Sequence, residues 1–341
     1  MFTSERELEE RLATPSAGLV ADAGRLDGDL VVLGAGGKMG PSLVRLARRA
    51  LDAAGRGSAR VYAVSRWSDD AAARALADEG VDVVRHDLMG GDDLSGLPDA
   101  ANVVFMVGAK FGTSAAPYQA WAVNAALPAA VARRYRASAI AAFSTGNVYP
   151  LADLASGGCA EEDRPGPVGE YAMSCLGRER VFEHAAAAYG TRVAILRLNY
   201  AVDLRYGVIA DIAAAVAAGE PVDVTTGHVN VVWQGYANEV ALRSLSHARA
   251  PEAFTLNLTG PETASVRRIA TRLGAALGVE ATFTGEESGT ALLSDASRCH
   301  GLFGYPDVPL DTLIAWQASW LSRGLPLSGK PTKFAVRDGR F

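Results

Sequence analysis

Short, unbroken apolar runs alternate with longer amphipathic stretches through the first two hundred residues. Gly28-Asp29 leads into Leu30-Val31-Val32-Leu33, the pattern of a strand buried on both faces. Behind it Leu43, Leu46, Ala47 and Ala50 recur at helical spacing, with Arg45, Arg48 and Arg49 turned outward. The unit then repeats. Strands are predicted at 61–64, 81–85, 102–107, 139–143 and 193–198, and helices over 69–79, 117–136 and 169–189. This regularity predicts an α/β fold, a doubly wound parallel sheet with right-handed crossovers and helices on both faces. Two short helical pieces at 5–12 and 16–26 precede it, as an N-terminal extension over residues 1–27.

After about residue 203 the rhythm breaks. Helix 208–218, an apolar stretch 229–233, a helix near 237–247, a strand at 254–258 and helices near 265–277 and 310–321 follow. The division expected is a dinucleotide-binding domain over 28–203 with 231–258 interleaved, and a smaller α+β substrate lobe from 204–230 and 259–329. The tail 330–341 is polar and basic and is expected to be a surface arm, packed on a partner subunit.

Composition narrows the function classes. The 341 residues are 49% hydrophobic, enough for a sizeable core and against disorder. A net charge of −5 argues against a nucleic-acid-binding surface. No apolar run approaches the ~18–20 residues of a membrane span, and charged residues fill the start of the chain, so neither a signal peptide nor a membrane partner is expected. Cys159, Cys175 and Cys299 are widely spaced without metal or disulfide pattern, which fits a reducing, cytoplasmic setting. His184, His228, His247 and His300 are scattered and build no metal site. Only four of the 33 basic residues are lysines: Lys38, Lys110, Lys330 and Lys333. A genome rich in Arg and Ala codons accounts for most of that scarcity, yet any chemistry needing a lysine has four candidates.

The first candidate chemistry lies between the first strand and its helix, in Gly34-x-x-Gly37-Lys38-Met39-Gly40. Strand, glycine loop and helix together form a dinucleotide cradle: a tight turn, close backbone approach to a pyrophosphate, and a helix N-terminus aimed at it. Cofactor choice is read at the end of the second strand, where NAD sites place a carboxylate on the ribose. This chain has Ser65-Arg66-Trp67 there. An Arg suits a 2′-phosphate, with Lys38 as a second charge. NADP is therefore expected ahead of NAD.

These residues, with others in order along the chain, resemble the extended short-chain dehydrogenase/reductases, also called the NAD-dependent epimerase/dehydratase family, over roughly 29–321. The resemblance implies that Asp87-Leu88 contacts the adenine, that Val107-Gly108-Ala109 lies over the cofactor ribose, and that Asn124 is the family's helix Asn. It makes Thr145, in Phe143-Ser144-Thr145-Gly146-Asn147-Val148-Tyr149, the catalytic hydroxyl and Tyr171 the acid/base. Arg197-Leu198-Asn199 and Asn257 to Glu262 are similar to later family stretches.

The departure is specific. The family has Tyr-x-x-x-Lys, and this chain has Tyr171-Ala172-Met173-Ser174-Cys175. A neutral thiol neither holds the nicotinamide ribose nor lowers a tyrosine pKa from its ordinary ~10. Lys110, directly after the fourth strand, is the candidate for the missing ammonium, with Arg178 a weaker one. Val231-Val232-Trp233-Gln234 stands where the family often has Val-Asp-Asp. The expected function is NAD(P)-dependent hydride transfer at a carbinol or carbonyl carbon of a sugar, nucleotide sugar or similar small-molecule substrate. The alternatives are a cofactor-binding protein with little turnover and a non-redox isomerase. A homodimer through helices 117–136 and 169–189 is implied, with Ala125, Ala126, Ala129, Ala130 and 185–188 allowing close approach.

Overall fold

The apolar runs form seven parallel strands in one sheet: β1 Leu30–Leu33, β2 Val61–Ser65, β3 Asp82–Arg85, β4 Asn102–Phe105, β5 Ala139–Thr145, β6 Arg192–Leu198 and β7 Phe254–Leu258. This computed structural model describes residues 1–91, 94–112 and 114–341. The strand order is β7-β6-β5-β4-β1-β2-β3. The chain thus winds outward from β1 in one direction, returns to β4 beside it, and winds outward in the other. A crevice opens at the carboxyl ends where the direction reverses. The strand at 254–258 joins this same sheet, with Phe254 opposite Ala194 and Leu258 opposite Leu198.

One face is covered by α1 Glu5–Leu12, α2 Ala17–Ala23, α3 Gly40–Ala53, α4 Asp70–Asp78 and a helix over Gln234–Arg243. The other is covered by a broken rod, α5 Pro117–Trp121, a π-helical turn Ala122–Ala126 and α6 Leu127–Arg134, followed by α7 Gly169–Tyr189. The break has a local cause. Pro128 has no N–H to give the Asn124 carbonyl four residues back, and an insertion in the ladder relaxes as a π turn. On α7, Ala185 and Ala186 are buried in the chain's own core, so that pair faces inward, not toward a partner.

The remaining helices, α8 Val208–Ala217, α9 Gln234–Arg243, α10 Val266–Leu277, α11 Ser297–Phe303 and α12 Leu310–Ser322, build the rest. The short α11 carries no periodic signal long enough to be seen in the sequence. At the lobe junction, where Val231-Val232-Trp233-Gln234 carries no carboxylate, Trp233 is buried and meets the Trp316 ring at 5.6 Å, which meets Phe2 at 4.9 Å. An aromatic seam replaces charge there. No helix among the described residues is long and apolar enough to cross a membrane.

The tail departs from expectation. Thr332 and Phe341 are only 3% and 5% exposed, buried against the same chain. The arm lies over the crevice instead of standing off toward a partner.

Candidate active site

The glycine loop turns the chain from β1 into α3. Gly34 has φ +92°, and a Cβ on Gly40 would stand 2.2 Å from the Ala35 carbonyl oxygen. Both places need glycine, and the result is a bare backbone floor leading to the α3 N-terminus. Met39, just before α3, is half-buried there. This cradle fits a dinucleotide pyrophosphate.

Lys38 faces the cleft but turns away from the β2 edge. Its Nζ donates to the Ala201 carbonyl at 3.0 Å and lies 4.1 Å over the Tyr206 ring. Crowding by protein pushes its pKa down to about 8, with Asp203 and Asp211 pulling the other way. Since Ala201 follows β6 and Arg66 follows β2, the two cations lie on opposite sides of the sheet centre. They do not converge on a 2′-phosphate. Arg66 is exposed beside half-buried Ser65, and Asp69 is committed to capping α4. Asp87 is exposed at the β3 end and takes the Met89 N–H at 3.0 Å, while Leu88 packs inward.

Asn124 is enclosed, and chain groups use its amide fully. Its Oδ1 accepts from Ala109 N at 2.9 Å and Arg178 Nη2 at 2.8 Å; its Nδ2 donates to Ala109 O at 2.8 Å and Ser174 Oγ at 2.9 Å. It clamps the Val107-Gly108-Ala109 segment, and so the backbone that carries Lys110. Arg178 closes the same knot. Its Nε donates to the Asn124 carbonyl at 3.3 Å, the oxygen freed by Pro128, and its Nη1 to the Phe143 carbonyl at 2.7 Å.

Tyr171 stands on the first turn of α7 above this floor. Burial pushes its hydroxyl well above the ordinary tyrosine range, and Cys175 one turn on adds to the rise. Hydrogen bonding from Thr145 and the charge of Arg178 oppose it. The Cys175 thiol is itself buried and pushed up. It sits behind Tyr171 among Val148 and Leu293, not on the cleft wall. Lys110 reaches over from the other side: its Nζ donates to the Thr332 carbonyl at 3.0 Å and lies 5.9 Å from the Tyr171 ring and 4.4 Å from the Phe341 ring. Burial lowers its pKa to about 8, with Asp211 holding it up.

Beneath lies a buried polar relay that the sequence reading missed. Ser144 Oγ donates to Glu179 Oε1 at 2.5 Å, Glu179 takes Arg197 at 2.8 Å, Arg197 donates to Tyr149 Oη at 2.6 Å, and Tyr149 donates to Asn257 at 2.8 Å. Glu179 is fully buried. Its one sequence signal is its position eight residues after Tyr171, on the same helix face. Tyr200, which lines the cavity, has φ +46°, a backbone placement that costs a non-glycine residue about 1–3 kcal/mol.

Thr145, Tyr171, Lys110 and Arg178 thus line one cavity of 310 Å³ together with Gly34, Gly37 and Lys38. The model of the NAD dependent epimerase/dehydratase family matches residues 30–241. The chain belongs to that family. Membership makes it an NAD-dependent enzyme of the epimerase/dehydratase type.

Solved structures with the family fold align over most of the chain. MoeE5 in complex with UDP-glucuronic acid and NAD is 22% identical, covering 87% of this chain and 100% of that one at TM-score 0.68. UDP-glucuronic acid 4-epimerase from Bacillus cereus, in complex with UDP-glucuronic acid and NAD, is 18% identical, covering 86% and 99% at TM-score 0.72. UDP-glucose 4-epimerase from Thermotoga maritima, with UDP-glucose, is 15% identical, covering 87% and 99% at TM-score 0.70. No curated protein matches the chain. The cofactor in the first two of these structures is NAD, so the preference for NADP read at Arg66 gains no support. In this epimerase/dehydratase-family protein the glycine cradle and Gly108 line the cavity, and Asn124 is a strut behind the Val107-Gly108-Ala109 segment.

Proposed function

We propose that the protein catalyses NAD-dependent hydride transfer at a carbinol or carbonyl carbon of a polyhydroxylated metabolite of the sugar class. The observation that carries this reading is the meeting of Thr145, Tyr171 and Lys110 around one cavity that the glycine cradle also lines. The cofactor, when bound, supplies the hydride acceptor or donor. Thr145 binds the reacting oxygen, and Tyr171 takes or returns its proton. Lys110 and Arg178 supply the positive charge that the Tyr-x-x-x-Lys lysine gives elsewhere in the family. The Arg178 charge favours the phenolate against the burial that disfavours it, and the Lys110 ammonium lies 5.9 Å from the same ring.

The test uses NADH formation with a panel of free sugars, sugar acids and nucleotide sugars, after NADH and NADPH titrations that are expected to favour NADH. Replacing Tyr171 with Phe should lower kcat by about 10²–10⁴, the usual worth of a positioned acid/base, with NADH affinity unchanged. Full activity in that variant would end the proposal.

The raised Tyr171 hydroxyl and the thiol at 175 favour a second reading, a cofactor-binding protein with little turnover. Cys175→Lys separates the two. A severalfold gain in turnover marks a working but handicapped site, whereas no turnover in either protein marks a binding protein.

A further inference from the structure

Past Asn147 and Tyr200 the cleft continues as a second cavity of 30 Å³. Its outer wall is Phe334, Val336, Arg337, Gly339 and Phe341, all from the arm. The glycine cradle fixes the direction of this space. The cofactor occupies the crevice at β1 and β4, so a substrate that meets Tyr171 extends away from it, over β5 and β6 toward α8. That is the ground the arm holds.

The arm is built in at every step. Thr332 donates through both its N–H and its hydroxyl to Asp211 Oδ2, at 2.8 and 2.6 Å, and accepts from Lys110. Arg337 donates to the Thr290 carbonyl at 2.7 Å, the Thr290 hydroxyl at 2.6 Å and the Ser288 hydroxyl at 3.0 Å. Gly339 lies against the start of α7 so closely that a Cβ on it would stand 2.3 Å from the Val168 carbonyl oxygen. A Cβ on Gly169 would likewise meet the Gly339 carbonyl at 2.4 Å. Phe341 sets its edge on the Tyr171 ring at 5.5 Å and 79°.

The volumes then decide between substrates. A drug-sized ligand fills about 300–1,000 Å³, and a nucleoside diphosphate sugar is at least that large. The 310 Å³ cavity must also take the nicotinamide end of the cofactor, and 30 Å³ beyond it is space on the scale of a water molecule. We infer that residues 332–341 set the substrate's size: the site takes a small polyhydroxylated compound that carries no nucleotide. The inference rests on the hydride-transfer reading for what is done to that compound, but the exclusion of nucleotide is read by binding alone.

The probe is UDP-glucose, titrated calorimetrically into the NAD-loaded full chain. The wild type is expected to bind it no tighter than about 1 mM. Arg337→Ala and Gly339→Ala are each expected to loosen the arm while leaving every cavity residue named above as catalytic in place in the sequence, the second by driving a Cβ into the Val168 carbonyl. Both variants should bind UDP-glucose at least about tenfold more tightly, with NADH affinity unchanged as the check that they fold. Hydrogen exchange across 330–341 in the wild type should stay the same with UDP-glucose present. Wild-type affinity equal to that of the variants, variants that still refuse UDP-glucose, or arm amides that open when it is added would each overturn the inference. The last would make the arm a lid for nucleotide sugars. Absence of turnover on every free sugar, with the binding results as expected, would instead overturn the hydride-transfer reading and leave the size limit standing.

Discussion

Lys110 carries a charge that its surroundings make easy to lose. Its ammonium is desolvated beside Tyr171 and Phe341, with its pKa lowered to about 8 and the Asp211 carboxylate limiting the fall. The sign follows directly: a lowered amine pKa leaves the cation complete below that value and removes it as pH rises through it. Activity that depends on this charge should therefore fall above about pH 8, well before an exposed lysine would titrate near 10.4. Lys110→Met should abolish that limb of the kcat profile and lower the plateau, and a profile unchanged by the substitution would remove Lys110 from the chemistry. Much of this residue-scale picture was legible in the chain itself. Tyr171, Thr145 and the missing lysine stand in a fixed order, and lysine scarcity singled out Lys110. The direction of Lys38 was not legible, because a loop position does not reveal which way a long side chain turns; it donates to a carbonyl after β6.

At the scale of the element, the π turn in the rod before α6 has the larger consequence. Pro128 frees the Asn124 carbonyl, Arg178 takes it, and the Asn124 amide pins both polar groups of Ala109. The positions of Lys110 and Arg178 thus rest on one irregular turn. Asn124→Ala would leave buried donors and acceptors unpaired at about 1–3 kcal/mol each. The expected signature of a positioning residue is a fall in kcat with the alkaline limb of Lys110 displaced. A purely structural role would lower the melting temperature and leave the pH profile of the folded enzyme alone. The rod as a whole was readable from its periodicity. Its break was not, because a π turn differs from an α turn by one inserted residue and leaves the apolar spacing almost intact.

Across the whole molecule, both ends of the described chain brace the site. The N-terminal helices sink Leu8, Leu12 and Leu19 into the core shared with α3 and α9. Glu9 then joins Arg45 at 2.9 Å and Arg205 at 2.6 Å, and Arg205 holds Asp203 at 2.8 Å, the carboxylate whose charge acts on Lys38. Leu12→Ala should cost about 2–5 kcal/mol, as core leucine deletions do, seen as a lower melting temperature. A loss under ~0.5 kcal/mol, the range of ordinary surface changes, would show the extension to be a loose appendage. The parallel sheet and its switch point followed from the alternation of short apolar and amphipathic runs. The arm did not, since its twelve mixed residues carry no period, and only the fold shows that Thr332 and Phe341 are buried.

The grip of Thr332 and Phe341 on Lys110 also bears on descent. In a relative with lysine at the position of Cys175, the helix supplies its own ammonium and nothing holds Lys110 or the arm in place by selection. In a relative lacking that lysine, the loop cation and the strap that seats it are needed together. Lys110 and Phe341 should then be inherited or lost together, with position 175 as their counterweight, while the backbone carbonyl that Thr332 offers Lys110 makes no demand on the side chain there.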